Sequence, residues 1–319
     1  MTDLLEVGNL RVSYRTSRGS IQAVHDVSFH IRAGETFGLV GESGCGKSSL
    51  GRAVIRLLDP ESGSIRLNGV DLASLSGRRL KPYRALVQMV FQDPFSSLDP
   101  RHHIGRLIGE PISVGHDQRG KAERVRELLV IVGLRPELID RLPHELSGGQ
   151  RQRVAIARAL AVSPELVICD EPVSALDVSL QAQILNLLAD LQRAKNIAYL
   201  FISHDLGVVR YIAHRAAVMY LGELVEVATG DELWLKAAHP YTQALIEAVP
   251  HLDPHNHRIS DKHILAGDLA NPARPPSGCR FHTRCPHVMP RCSVEHPELR
   301  EVAPEHFVAC HLYTGGNSQ

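Results

Sequence analysis

TFGLVGESGCGKSSL, Thr36 to Leu50, is the stretch on which the fold turns. The run from Thr36 to Val40 is short and apolar and ends at Gly41, so it predicts a strand feeding a glycine-rich turn. Gly41, four residues, then Gly46-Lys47-Ser48 is the spacing of a phosphate-binding loop. Gly41, Gly44 and Gly46 let the backbone curl so that amide hydrogens point inward at phosphate oxygens, and a following helix adds its positive N-terminal end. Lys47 is placed to bridge the β and γ phosphates and the Ser48 hydroxyl to ligate magnesium, with Ser43 and Ser49 in the same cradle. Ser48 to Leu58 then has helical spacing, with Leu50, Val54, Leu57 and Leu58 on one face.

Upstream, LEVGNLRVSY and AVHDVSFHI alternate apolar and polar residues around the polar turn RTSRGS, which predicts antiparallel strands. Downstream, helical patterns recur at Arg124 to Val132, Gln150 to Ala161 and Leu180 to Ala194, with apolar strands at Leu166 to Cys169 and Tyr199 to Ile202. Apolar strands alternating with helices imply an α/β fold whose parallel sheet is covered on both faces.

LVICDEP, Leu166 to Pro172, is a strand ending in two acids. Beside a phosphate loop, Asp170 suits magnesium and Glu171 suits polarising the water that attacks the γ phosphate. LSGGQ, Leu146 to Gln150, precedes the helix beginning QRQRVAIARAL, with Ser147 where an N-cap belongs and two glycines exposing amides at a positive helix end. That is a second anion cradle in a chain with one nucleotide loop.

Together these blocks resemble the ATP-binding subunits of ABC transporters, in which the LSGGQ signature closes over ATP held by a partner subunit. The resemblance implies a P-loop NTPase of the ABC type, with a RecA-like parallel core, an antiparallel β subdomain and a helical subdomain. It implies ATP and magnesium as ligands, and composite sites in which Ser147, Gly148, Gly149 and Gln150 meet the partner's nucleotide. On the same resemblance Tyr14 stacks on adenine, Gln92 in FQDP touches magnesium and water, Asp177 in SALD lies on the loop between subunits, and His204 in LFISHD senses the γ phosphate. Glu171, His204 and Gln92 would then be the hydrolytic residues.

From His239 onward the chain holds ten of its 18 histidines, ten of its 19 prolines, and Cys279, Cys285, Cys292 and Cys310. That shift marks a boundary near residue 240, with an ATP-binding domain over 1–240 and an extension over 241–319. HPYTQALIEAVP reads as a helix entered at Pro240 and stopped by Pro250. With the PPSGC and RCP blocks it resembles the C-terminal extension of ABC ATPases serving oligopeptide, dipeptide and nickel uptake. Four thiols in a tail too small for its own core suit a tetrathiolate metal site. The resemblance implies a four-iron four-sulfur (4Fe-4S) cluster there; zinc, free thiols and disulfides stay open. Cys45 and Cys169 read as small packing residues, and His282, His287 and His311 as solvated loop residues.

The chain has 319 residues with 35 Lys+Arg against 35 Asp+Glu, a balance that argues against a nucleic-acid partner. No apolar run reaches the roughly 18 residues of a membrane span, and the start MTDLLEVGNL does not read as a signal peptide. The expected setting is therefore the cytosol, and the resemblance implies a place there on the cytoplasmic face of the cell membrane. There the resemblance implies two transmembrane permease subunits, a second and related ATPase chain, and an extracytoplasmic solute-binding protein reached through the complex. The basic run Arg78, Arg79, Lys81 and Arg84 reads as a solvated helix face. The leading expectation is the ATP-hydrolysing subunit of a peptide importer. Import of nickel chelates or glutathione by the same type of complex, a soluble ABC ATPase of DNA repair or translation, and a redox protein built on the cysteines are the competing readings.

Overall fold

In the first strand, Asp3–Thr16, the buried positions run Leu4, Leu5, Val7, Leu10, Val12, so from Leu5 onward the alternation slips by one residue at Asn9. Asn9 takes a positive φ of 46°, and the register against Ser62–Leu67 shifts between Gly8 and Arg11. An extra residue in one strand returns the following side chains to the buried face, so the bulge is written in the sequence pattern. The computed structural model describes residues 3–16, 19–93, 97–112, 118–249, 271 and 273–313. Ser17 and Arg18 of the expected turn, and Pro250, lie outside these residues.

Two compact units interleave along the chain. One comprises Ile31–Glu35 and Ser74–Ile202 with the residues up to Leu4. Its strands Val87–Val90 and Leu166–Asp170 pair in parallel, as do Leu166–Asp170 and Ala198–Ser203, with Val87 opposite Leu166 and Leu166 opposite Ala198. Every residue of the last two strands is buried, which is why both read as continuous apolar runs. Helix Gly148–Leu160 buries Val154, Ala155, Ile156, Ala157 and Leu160, while Val178–Lys195 buries Ile184, Leu185, Leu188 and Leu191 at helical spacing. Ile104–Gly109 packs against Gln118–Ile131 and Gly148–Leu160, forming the helical part of this unit.

The other unit comprises Leu5–His30, Thr36–Ala73 and Ser203–Gln319. Asp3–Thr16 lies between Gly19–Arg32 and Ser62–Leu67 in an antiparallel sheet that ends in Val70–Asp71. Thr36–Val40 pairs in parallel with Arg215–Tyr220, which forms a hairpin with Glu223–Thr229. The tail hairpin Arg300–Ala303 and His306–Val308 continues from Glu223–Thr229. This arrangement is the expected α/β fold with an antiparallel subdomain and a helical subdomain.

Three local expectations need correction. The helix after the phosphate loop is Lys47–Val54, not Ser48 to Leu58. Arg56 takes φ 57°, and its guanidinium donates to the carbonyls of Leu72 and Ala73, so the helix ends before Leu57, which is exposed. The tail also takes part in a core, against the expectation that it is too small for one. Phe281 is 1% exposed and packs against Tyr220 and Tyr241, with ring centroids 5.3 and 5.4 Å away. Finally, His311 is buried rather than solvated, its Nε2 lying 2.9 Å from the carbonyl of Glu295.

Candidate functional site

The phosphate loop follows the fully buried strand Thr36–Val40 and ends on helix Lys47–Val54, as its sequence requires. Gly46, at φ 110°, has no room for a side chain: a Cβ there would stand 2.1 Å from the carbonyl oxygen of Ala23. A Cβ at Gly41 would stand 2.2 Å from the carbonyl oxygen of Met219. The loop can therefore run flat against its neighbours, a cradle that fits a phosphate chain. Lys47 is 4% exposed, and its Nζ donates to the carbonyls of Gly41 at 2.7 Å and Glu42 at 2.9 Å. Those bonds hold the ammonium inside the loop. Cys45 is buried next to it, and burial pushes its thiol pKa up, consistent with a packing residue. Tyr14, from the first strand, is 36% exposed and shares a hydrogen bond of 3.0 Å with Ser49. Its ring thus stands beside the first turn of the loop's helix. His204 is exposed, one residue after the strand Ala198–Ser203, and Asp205 caps the next helix by accepting from Gly207 and Val208.

The other unit carries the acid pair and the signature segment. Asp170 ends its strand at 1% exposure. Glu171 follows in a left-handed conformation, φ 47°, its amide donating to the carbonyl of Ile202 at 2.9 Å. A residue forced positive at a strand end turns its side chain off the strand's alternation. Gln92 Nε2 donates to Glu171 Oε2 at 2.9 Å, a pairing that neither motif announced in the sequence. Ser147 caps helix Gly148–Leu160: its Oγ accepts from the Gln150 amide at 3.3 Å, and its own amide donates to Gln150 Oε1 at 2.9 Å. Gly149 is buried, and a Cβ there would stand 3.2 Å from Leu180 side-chain atoms. Gly148 adjoins Leu176 in the same way at 3.6 Å. Asp177 caps Val178–Lys195 by accepting from the Leu180 amide at 2.9 Å, a structural duty the sequence reading did not assign it.

In the tail, the four expected metal ligands share one small substructure. The Cys279 amide donates to the carbonyl of Cys292 at 2.8 Å, and the thiols of Cys285, Cys292 and Cys310 act electrostatically on Cys279. Burial pushes the Cys279 thiol up to about 12, and the Cys285 and Cys310 thiols upward as well. Among the described residues, however, no three His, Cys, Asp or Glu stand close enough to hold a metal ion. That arrangement gives no support for a cluster, and the aromatic contacts of Phe281 with Tyr220 and Tyr241 anchor the tail. Sequence reasoning missed the residues that seat this tail. Glu226, 0% exposed, accepts from the amides of Ala238 at 2.7 Å and His239 at 2.9 Å, and His306 Nε2 lies 2.7 Å from it. Glu42, Tyr241 and Arg284 were missed too; only the RCP block pointed to the last.

Comparison with known proteins agrees with this geometry. Residues 24–174 match the family described as ABC transporter, and residues 225–292 match the oligopeptide/dipeptide transporter, C-terminal region. The chain is 52% identical over 299 residues to the oligopeptide transport ATP-binding protein AppF of Bacillus subtilis, covering 93% of this chain and 91% of that one. It is 48% identical to a putative peptide import ATP-binding protein of Brucella ovis, over 97% of this chain and 98% of that one. Among solved structures, the dimeric post-hydrolysis state of the ATP-binding cassette MJ0796 bound to ADP and Pi aligns with TM-score 0.65 at 27% identity, covering 70% of this chain and 98% of that one. The cbiO1 subunit from Clostridium perfringens, part of the ABC transporter complex cbiONQ, aligns with TM-score 0.66 at 28% identity, covering 74% of this chain and 92% of that one. A phosphate loop, an acid pair, a capped signature helix and near-full-length identity converge: the chain belongs to the ABC transporter family, as an ATP-binding subunit of the kind that carries the oligopeptide/dipeptide C-terminal region.

Proposed function

We propose that this protein is the energy-coupling ATPase of an importer for dipeptides or oligopeptides, working as a peripheral subunit on the inner face of the cell membrane. The observation that carries the reading is the conjunction of the glycine cradle around Lys47 with a tail matching the oligopeptide/dipeptide transporter C-terminal region. No helix among the described residues is long and apolar enough to cross a membrane. In this reading two permease chains supply the membrane path. A second, related ATPase completes the pair, and an extracytoplasmic binding protein selects the solute. Residues 1–240 serve as the ATP-binding part and 241–319 as the extension.

In this reading Lys47 and the loop from Gly41 to Ser49, with Ser43 and Gly44 at its turn, hold the β and γ phosphates. Ser48 and Asp170 would be the magnesium ligands, and the ion would supply positive charge to offset the charge that builds on the phosphates. Tyr14 lies under the adenine. Glu171 polarises the attacking water while Gln92 steadies its carboxylate through the 2.9 Å bond. His204 reads the γ phosphate, and Asp177 and the Ser147–Gln150 segment close on the nucleotide of the partner subunit. Hydrolysis removes the γ-phosphate contacts and the pair reopens, an order-and-release switch.

A 4Fe-4S site in the extension, with zinc as the alternative, rests on the resemblance of the tail and on the nearness in sequence of Cys279, Cys285, Cys292 and Cys310, not on the arrangement of their thiols; no step above depends on it. Iron, sulfide and zinc analysis of anaerobically prepared protein decides that point. The transport reading is tested by reconstituting the chain with its permeases, partner ATPase and binding protein in vesicles. ATP hydrolysis stimulated by short peptides supports it, and stimulation by nickel chelates or glutathione alone reassigns the solute.

A further inference from the structure

We infer that Arg284 is a positioning residue for the phosphate loop, which makes the cysteine-bearing tail a working part of the ATP site. The inference rests on the reading that Gly41 to Ser49 holds the phosphates of ATP.

Glu42, the second residue of that loop, is gripped at each of its polar groups. Its carboxylate takes both arms of the Arg284 guanidinium, at 2.8 and 3.1 Å. Its amide donates to Tyr241 Oη at 2.9 Å, and its carbonyl accepts from Lys47 Nζ at 2.9 Å. Two of these three grips come from beyond residue 240, from residues that no nucleotide motif contains. The Arg284 side chain is only 6% exposed, so this is a forked, sheltered ion pair and not a screened surface contact. The ring of Tyr220 lies 6.0 Å from the guanidinium and itself packs on Tyr241 and Phe281 at 4.7 and 5.3 Å, walling the arginine in.

The electrostatic consequence is direct. A carboxylate one residue into a phosphate cradle repels the anion the cradle exists to bind. Arg284 cancels that charge and draws the Glu42 side chain to itself, and the same residue's carbonyl then seats Lys47. Without Arg284, Glu42 is left charged beside the triphosphate and its carbonyl loses a fixed place.

The test is calorimetric titration of the full-length protein with MgATP, well below its unfolding temperature, with a thermal melt of each variant alongside. Arg284→Ala should weaken ATP binding about tenfold, a typical size for coupled neighbours. Glu42→Gln placed on top of Arg284→Ala should recover most of that loss, because no carboxylate remains to repel the phosphates. Arg284→Lys, which keeps the charge and loses the fork, should fall between. Undiminished affinity in Arg284→Ala overturns the inference, as does a loss that Glu42→Gln fails to relieve. Should Arg284→Ala not fold, Arg284→Lys with and without Glu42→Gln carries the same comparison. Lys47→Ala separates the two layers of the argument: normal ATP affinity there defeats the phosphate-loop reading itself. Weak binding in Lys47→Ala with normal binding in Arg284→Ala defeats only the role of the arginine.

Discussion

Gln92 donates its side-chain amide to the carboxylate of Glu171 across 79 positions of sequence, at 2.9 Å. Glu171 sits in a left-handed backbone conformation at a strand end, so its side chain depends on neighbours for its aim. The pairing links the residue before the helical subdomain to the residue proposed to polarise water. A shift of that subdomain would therefore change how Glu171 is held.

Glu171→Gln should keep ATP affinity while lowering kcat by about a hundredfold to ten-thousandfold, the usual worth of a general base. The amide preserves shape and removes the basic oxygen. Single-turnover hydrolysis with parallel nucleotide titration checks this, and near-normal turnover removes Glu171 from the mechanism.

Gln92→Ala should lower kcat by less than Glu171→Gln, because it loosens the carboxylate without deleting it. KM for ATP should hardly move. Gln92→Glu should be worse than Gln92→Ala, since it sets two carboxylates side by side. If the alanine and glutamate variants hydrolyse ATP at equal rates, the electrostatic part of this argument is wrong.

His239 gives a pH prediction. It is 1% exposed, and burial pushes its pKa down to about 3, while the unfolded chain titrates near 6.5. Between those values the unfolded state binds a proton that the folded state refuses, so the stability contributed by neutral His239 is full above about pH 6.5 and is lost toward pH 3, with a slope of up to about 1.4 kcal/mol per pH unit. His239→Asn keeps an acceptor for the Tyr241 amide, now 3.1 Å from His239 Nδ1, and removes the titration. Denaturant melts from pH 7 to pH 4 should show a shallower decline for the variant; parallel declines would contradict the assignment.

Glu226→Ala should cost about 3 to 5 kcal/mol, because it strands buried donors that now point at a fully buried carboxylate. The loss should first appear as proteolytic cutting near residues 238–241, where those amides fasten the tail to strand Glu223–Thr229. Global unfolding with no early tail cleavage would show that the tail is not separately fastened.

The nucleotide motifs were legible because each is local: a strand, a glycine turn and a helix start fall within the 15 residues of Thr36 to Leu50. Even the bulge at Asn9 left a trace, as a slip in the apolar alternation. What the sequence hid was long-range and polar. Glu171 with Gln92, Glu226 with His306 and Glu42 with Arg284 are separated by 79, 80 and 242 positions, and no periodicity links such pairs. The hairpin Arg215–Tyr220 and Glu223–Thr229 was missed because Arg215, Glu223 and Glu226, all buried, break the apolar runs by which a covered strand is read. A metal was expected in the tail because residues 241–319 alone are too few for a core. Phe281, Tyr220 and Tyr241 supply one, drawn partly from outside the tail.

The most direct test of the central claim is to recover the tagged protein from gently solubilised native membranes and identify the co-purifying chains by mass spectrometry. The account predicts two polytopic permeases, a related ATPase and a solute-binding protein. Recovery from the soluble fraction with ribosomes or DNA-repair factors, and with no permease, would contradict it.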